Sequence, residues 1–331
     1  MIKYFALLPA LALLWCSCGP SANPNDNPAY HNPAIQSFTD SIEADPDNPG
    51  YYFSRAEALS NMGQDSLALE DVKSALRLDE KNPQYHFTMG YLQLQLDKPK
   101  EAIKSLLHSL DMSPGNANVR LLLSKAYLAD HNTPAAQEQV SKILAAAPQH
   151  PAAQMMQAQI QAAQKDTAGA IQTVKSVLAA NPRNYEASFQ LADWYKASGN
   201  PEALTQYKAT FALDTTDAAP LFEVGDFYRA QQQWEKAKEA YRICMQKDMD
   251  YTDAYIQIGK ILYQQDSTEK ALRHFNLAIN TMPNSAESYL NKGLCFEKLK
   301  QRDSAAVAYN QALTFDSSLK EAIDGLKRLK K

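Results

Sequence analysis

Two cysteines stand one residue apart in the stretch LLWCSCGPS, Cys16 and Cys18. Such a pair could exchange electrons, hold a metal, or be cut and modified after export. The residues ahead of it favour the last. Lys3 gives a short basic start, and an apolar run from Phe5 to Trp15 follows, the layout of a secretory signal. The run is shorter than the about 20 apolar residues that span a bilayer. Elsewhere the reactive side chains are scattered. No GxGxxG or GxxxxGK(S/T) phosphate loop occurs, no HExxH and no GxSxG. Carboxylate pairs are plentiful, as on any solvated helical face, and mark no site.

A formal net charge of −4 over 331 residues argues against a nucleic-acid binder, which carries a basic face. Four cysteines cannot staple a chain of this length. Hydrophobic residues make up 45%, enough for a folded core. Only 11 glycines are present, which points to helices rather than to β-structure or phosphate-cradling loops.

The elements that position these residues repeat. Ala56, Gly90, Ser124, Ala158, Ala192, Gly225, Gly259 and Gly293 are spaced by 34 residues, with one step of 33. Ala68, Ala102, Ala136, Ala170, Ala203, Ala237, Ala271 and Ala305 form a second ladder. The two ladders share one deletion, between Ala192 and Ala203 in KASGNPEA. Small side chains at both points let two antiparallel helices cross closely, so the unit is a helical hairpin used eight times. Tyr207, Tyr241, Phe275 and Tyr309 lie four residues after the later alanines. Tyr195, Tyr228 and Phe296 lie three after the first small residue; both spacings keep to one helix face. Pro114, Pro148, Pro182 and Pro283, with Pro46 ahead of them, recur where each second helix must stop. The fourth unit lacks aromatics and carries Gln161 where others have Tyr, Phe or Leu. Residues 151–184 are therefore expected to bury less area and form the least stable seam.

The stretch AYIQIGKILYQQDSTEKALRHFNLAINTMPN (254–284) resembles the tetratricopeptide repeat almost throughout. The resemblance divides the chain into eight repeats over 49–319, with a half-repeat helix at 34–48 before them and a polar capping helix at 320–331 after them. It implies an all-α, right-handed superhelical solenoid. On this frame His86, His108, His131, His150 and His274 fall at five different repeat positions, which makes them poor partners for one metal. Cys244 and Cys295 lie two hairpins apart, beyond the about 7 Å that a disulfide allows, and read as small core residues.

In the family, the first helices of successive repeats line a concave surface that takes an extended peptide or a partner's helix. The resemblance places Phe53, Phe87, Leu121, Met155, Phe189, Phe222, Ile256 and Leu290 there as an apolar stripe. Glu57, Tyr91, Lys125, Asp193, Asp226 and Lys260 edge it, with Arg229 on the same floor in the C-terminal half. The Lys and Asn of carboxylate-clamp members are missing from these positions. A protein partner is expected, with no catalytic residues, cofactor, metal, nucleic acid or small-molecule substrate.

WCSCG resembles a bacterial lipoprotein cleavage site with Cys18 as the lipidated residue, although Trp15 stands where that pattern prefers Leu. Residues 1–17 are then the signal peptide. The Pro- and Asn-rich 18–33 are a tether reaching at most roughly 45 Å. Gly19, not Asp, follows the cysteine, which implies outer-membrane sorting towards the periplasm. The expected setting is a membrane-anchored adaptor for outer-membrane assembly, secretion or cell-wall machinery; the alternative is a glycan- or nutrient-binding envelope lipoprotein. Asp65-Ser66-Leu67, Asp166-Thr167-Ala168, Asp266-Ser267-Thr268 and Asp303-Ser304-Ala305 precede second helices. They read as helix-start residues, and they also resemble an O-glycosylation acceptor at Ser66, Thr167, Ser267 and Ser304.

Overall fold

The computed structural model describes Tyr30 and residues 32–330. Among the described residues there are eighteen α-helices and no strand. A lone α1 (Pro33–Ala44) is followed by the hairpins α2 (Pro49–Asn61) with α3 (Asp65–Leu78), α4 (Pro83–Gln95) with α5 (Pro99–Met112), and α6 (Ala117–Ala129) with α7 (Thr133–Ala146). Next come α8 (Pro151–Ala163) with α9 (Thr167–Ala180), α10 (Tyr185–Ala197) with α11 (Glu202–Leu213), and α12 (Ala219–Ala230) with α13 (Trp234–Lys247). Last are α14 (Thr252–Gln264) with α15 (Thr268–Thr281), α16 (Ala286–Lys298) with α17 (Arg302–Phe315), and α18 (Lys320–Leu329).

The chain divides into two compact units at Gln139 and Val140, within α7 and ahead of the 151–184 stretch expected to be the weakest seam. In the first unit successive helices pack on one another from α1 to α6, and in the second from α8 to α18. This is the expected all-α architecture of stacked hairpins. Among the described residues no helix is long and apolar enough to cross a membrane.

Four of the first helices start on asparagine. The side chains of Asn48, Asn82, Asn116 and Asn184 accept from backbone N–H groups two or three residues on. Pro49, Pro83 and Pro151 fill the first helical turn, where no donor is needed. Between the two helices of every hairpin the chain turns on a residue of positive φ: Gly63, Asp97, His131, Lys165, Gly199, Gln232, Asp266 and Lys300. These carry the 34-residue period. In the fifth hairpin Gly199 N–H donates to Lys196 O at 3.0 Å and Asn200 N–H to Tyr195 O at 2.8 Å; the other seven turns bond alike. The deleted residue lies just after this turn. It shortens α11 to 12 residues against 14 in α9 and α13.

Where the helices of a hairpin cross, the small ladder meets a large side chain. A Cβ on Gly259 would lie 2.6 Å from the Phe275 ring, and one on Gly293 2.5 Å from Tyr309. Gly325 of α18 reaches the opposite edge of the same Tyr309 ring, again at 2.5 Å for an added Cβ. Two repeats replace aromatic packing by a polar clasp. Ser105 Oγ donates to Gln93 Oε1 at 2.7 Å between α4 and α5, and Thr173 Oγ1 to Gln161 Oε1 at 2.8 Å between α8 and α9.

The N-terminal end of the first unit holds a buried ion pair. Arg55 donates through Nε and Nη2 to both carboxylate oxygens of Asp71 at 2.7 Å, with both residues almost fully enclosed. Tyr30 lies over the guanidinium, 4.0 Å from ring centroid to Cζ, and is itself 3% exposed. The expected free tether over 18–33 is corrected at this end. Tyr30 belongs to the folded unit because its ring covers a charge that would otherwise meet water. Residues 1–29, including Cys16 and Cys18, lie outside the described residues.

Candidate binding face of the first helices

The apolar row three residues before each small position does not stand open. Phe53 packs 4.8 Å from Tyr85, Phe189 lies 5.8 Å from Tyr207, and Phe222 lies 5.4 and 5.2 Å from Tyr241 and Tyr251. Phe87 packs against the core formed by Leu106, Val119 and Leu123. Phe53, Phe87, Leu121, Phe189, Phe222 and Leu290 are half-buried, whereas Met155 and Ile256 are buried outright. Ile256 is thus a core residue, which corrects its place on the expected partner-binding stripe. Each first helix is flanked by neighbouring hairpins, so side chains at this register join one hairpin to the next.

One residue past the small position the side chains are freer in the first unit. Glu57, Tyr91 and Lys125 are exposed on α2, α4 and α6. Tyr91 is 40% exposed, and its hydroxyl accepts from Gln95 Nε2 at 3.0 Å.

In the second unit the same register is occupied. Asp193 accepts from the Tyr207 hydroxyl at 2.6 Å and Asp226 from that of Tyr241 at 2.5 Å. Burial, and then the bonded carboxylate, push both phenols well above the ordinary tyrosine range. Both aspartates therefore hold a core tyrosine, a role the sequence reading did not give them. Arg229 Nε donates to Asp226 at 3.1 Å. Lys260 pairs with Glu287, and Lys196 with Glu223, each joining adjacent first helices. Asp253 is held above the usual carboxylate range, first by burial and then by Glu287, with Asp226 also raising it and Lys260 opposing. The face is thus a mixed field with acids in excess.

Ser66 is the second residue of α3, Thr167 the first of α9, Ser267 the cap of α15 and Ser304 the third of α17. Ser267 precedes its helix as expected, whereas Ser66, Thr167 and Ser304 lie in the first turn of theirs. Asp166 caps α9 through Gly169 N–H at 2.9 Å, while Asp266 pairs with Lys298 at 2.5 Å. Cys244 and Cys295 are free and buried, and burial pushes both thiols up to about 12. The Arg55–Asp71 pair was missed by sequence reasoning. The column holds apolar Met89, Leu123, Leu191, Val224 and Ile258 but also Gln157 and Lys292, so a charge there did not by itself mark Arg55.

The tetratricopeptide repeat family matches at residues 93–160 and again at 286–319. Those two stretches carry tetratricopeptide repeats. The chloroplastic tetratricopeptide repeat domain-containing protein PYG7 of Arabidopsis thaliana is 27% identical over 109 residues, 32% of this chain. The match spans about a third (36%) of that protein's length. Among solved structures, the APC/C hetero-tetramer Cut9–Hcn1 superposes with a TM-score of 0.52 over 92% of this chain and 60% of its own, at 16% identity. That likeness shows the fold alone. Two structures of MamA share 27% and 26% identity over 47% and 50% of this chain and 92% of theirs, with TM-scores of 0.43 and 0.44. Tetratricopeptide hairpins are suited to protein–protein interaction, and proteins built from them are generally non-catalytic scaffolds.

Proposed function

We propose that this chain is a non-catalytic adaptor, anchored in a bacterial outer membrane through lipidated Cys18 and recruiting a protein partner for outer-membrane assembly, secretion or cell-wall machinery. The partner offers an extended peptide or a helix to the first helices of the hairpins. The observation that carries this reading is Tyr91. It stands 40% exposed between Glu57 and Lys125, on a face whose other aromatics are packed away. A rigid aromatic flanked by charges is the anchor that protein recognition favours. In the second unit the acid excess around Asp253 and Glu287 suits a basic or amphipathic segment.

The test is a crosslinked pull-down from detergent-solubilised envelopes, comparing the native chain with a Tyr91→Ala, Lys125→Glu variant of equal helicity. A protein recovered with the first and lost with the second supports the adaptor. Equal recovery moves the binding face elsewhere. Labelling with radioactive palmitate that Cys18→Ser abolishes supports the anchor, and labelling that persists removes it.

A further inference from the structure

A hollow of about 710 Å³ opens in the first unit between α3, α4 and α5, away from the residues assigned to the partner. Three permanent cations line it: Lys73, Arg77 and Lys104. Two carboxylates, Glu80 and Glu101, also line it, and Glu70 pairs with Lys73, so cations and carboxylates balance.

The cations are only partly engaged. Lys73 pairs with Glu70 at 2.7 Å, an exposed contact of little strength. Arg77 Nη2 donates to the Ser74 hydroxyl at 2.8 Å, and among the described residues neither Arg77 nor Lys104 pairs with a carboxylate.

Two imidazoles share the hollow. His86 and His108 lie 5.4 Å apart between ring centroids. His86 Nε2 lies 2.8 Å from the carbonyl oxygen of Glu80. A carbonyl can only accept, so Nε2 carries the proton and donates to it. The floor is apolar, from half-buried Leu76 and Met89, and is closed by the buried Ser105–Gln93 bond. The helices that carry the cations, α3 and α5, both pack on α4, which sets the spacing of their backbones.

We propose that this hollow binds a small soluble oxyanion, a phosphate monoester or carboxylate on a short apolar body. The anion lies among Arg77, Lys104 and the imidazoles, and the apolar body rests on Leu76 and Met89. The probe is phenyl phosphate, titrated into the full chain while the imidazole C–H signals are followed by NMR, with benzyl alcohol as the uncharged control. Saturable shifts of the His86 and His108 signals are expected with phenyl phosphate and not with benzyl alcohol. The exposed substitutions Arg77→Gln and Lys104→Gln together should weaken binding at least about tenfold, as loss of two charge-assisted contacts implies. Equal shifts with benzyl alcohol, unchanged affinity in the double variant, or no saturation overturns the proposal.

Discussion

Ser105 donates to Gln93 at 2.7 Å, and both side chains are buried between the two helices of one hairpin. The bond sits at a register where four other repeats hold an aromatic side chain, Tyr127, Tyr195, Tyr228 or Phe296. Removing the donor alone, in Ser105→Ala, leaves a buried amide oxygen without a partner and should cost about 1–3 kcal/mol. Gln93→Leu with Ser105→Ala should recover most of it. Urea denaturation followed by circular dichroism checks both, and equal losses would show that the bond contributes little.

Among the described residues, Arg55 and Asp71 form the most enclosed ion pair. Burial raises the Asp71 carboxyl while the Arg55 guanidinium pulls it back, so the charge survives only as long as its partner does. Arg55→Met should destabilise the first unit by about 3–5 kcal/mol, whereas Arg55→Met with Asp71→Leu should cost much less. Tyr30→Ala uncovers the pair and should raise hydrogen exchange in α1 and α2 without affecting α14 to α17.

The left-handed turn residue is glycine only at Gly63 and Gly199. Lys165 and Gln232 take the same conformation at φ 67° and 58°, with a Cβ that opposes it. Lys165→Gly and Gln232→Gly should each stabilise by up to about 1 kcal/mol, and Gly199→Ala should destabilise by a similar amount. Thermal melts would read the opposite signs.

Gly325 fastens the last helix. An added methyl would strike the Tyr309 ring, which Gly293 already confines from its other edge. Gly325→Ala should displace α18 at a cost of about 1–3 kcal/mol, seen as exchange confined to α18 and the nearby α16–α17 hairpin.

The attachment of α18 should also depend on pH. Arg328 donates two bonds to Glu297 at 2.8 Å and holds that carboxyl below the usual glutamate range, with the Tyr309 hydroxyl at 2.5 Å assisting. A depressed carboxylate contributes stability that is present above its unfolded pKa and lost as pH falls through the folded one. Protection factors of α18 amides should hold at neutral pH and fall as the pH drops below the usual glutamate range. Arg328→Gln should abolish that difference.

Sequence alone determined the hairpins. Two ladders of small residues with a shared period state where helices cross, and the proline stops after second helices bound them, because these are local effects of chain geometry. The position of the deleted residue was legible to within a few positions for the same reason. The use of each face was decided only by tertiary structure. Ile256 and Phe53 occupy the same register, yet one is enclosed and the other half-open. Asp193 reads as a surface charge until Tyr207 is seen to donate to it from the next helix. Tyr30 lies in a Pro- and Asn-rich stretch with no helical pattern, and only the buried Arg55 beneath it gives it a place. Exposure depends on what the neighbouring hairpin brings, and a repeat read one helix at a time does not contain its neighbour's side chains.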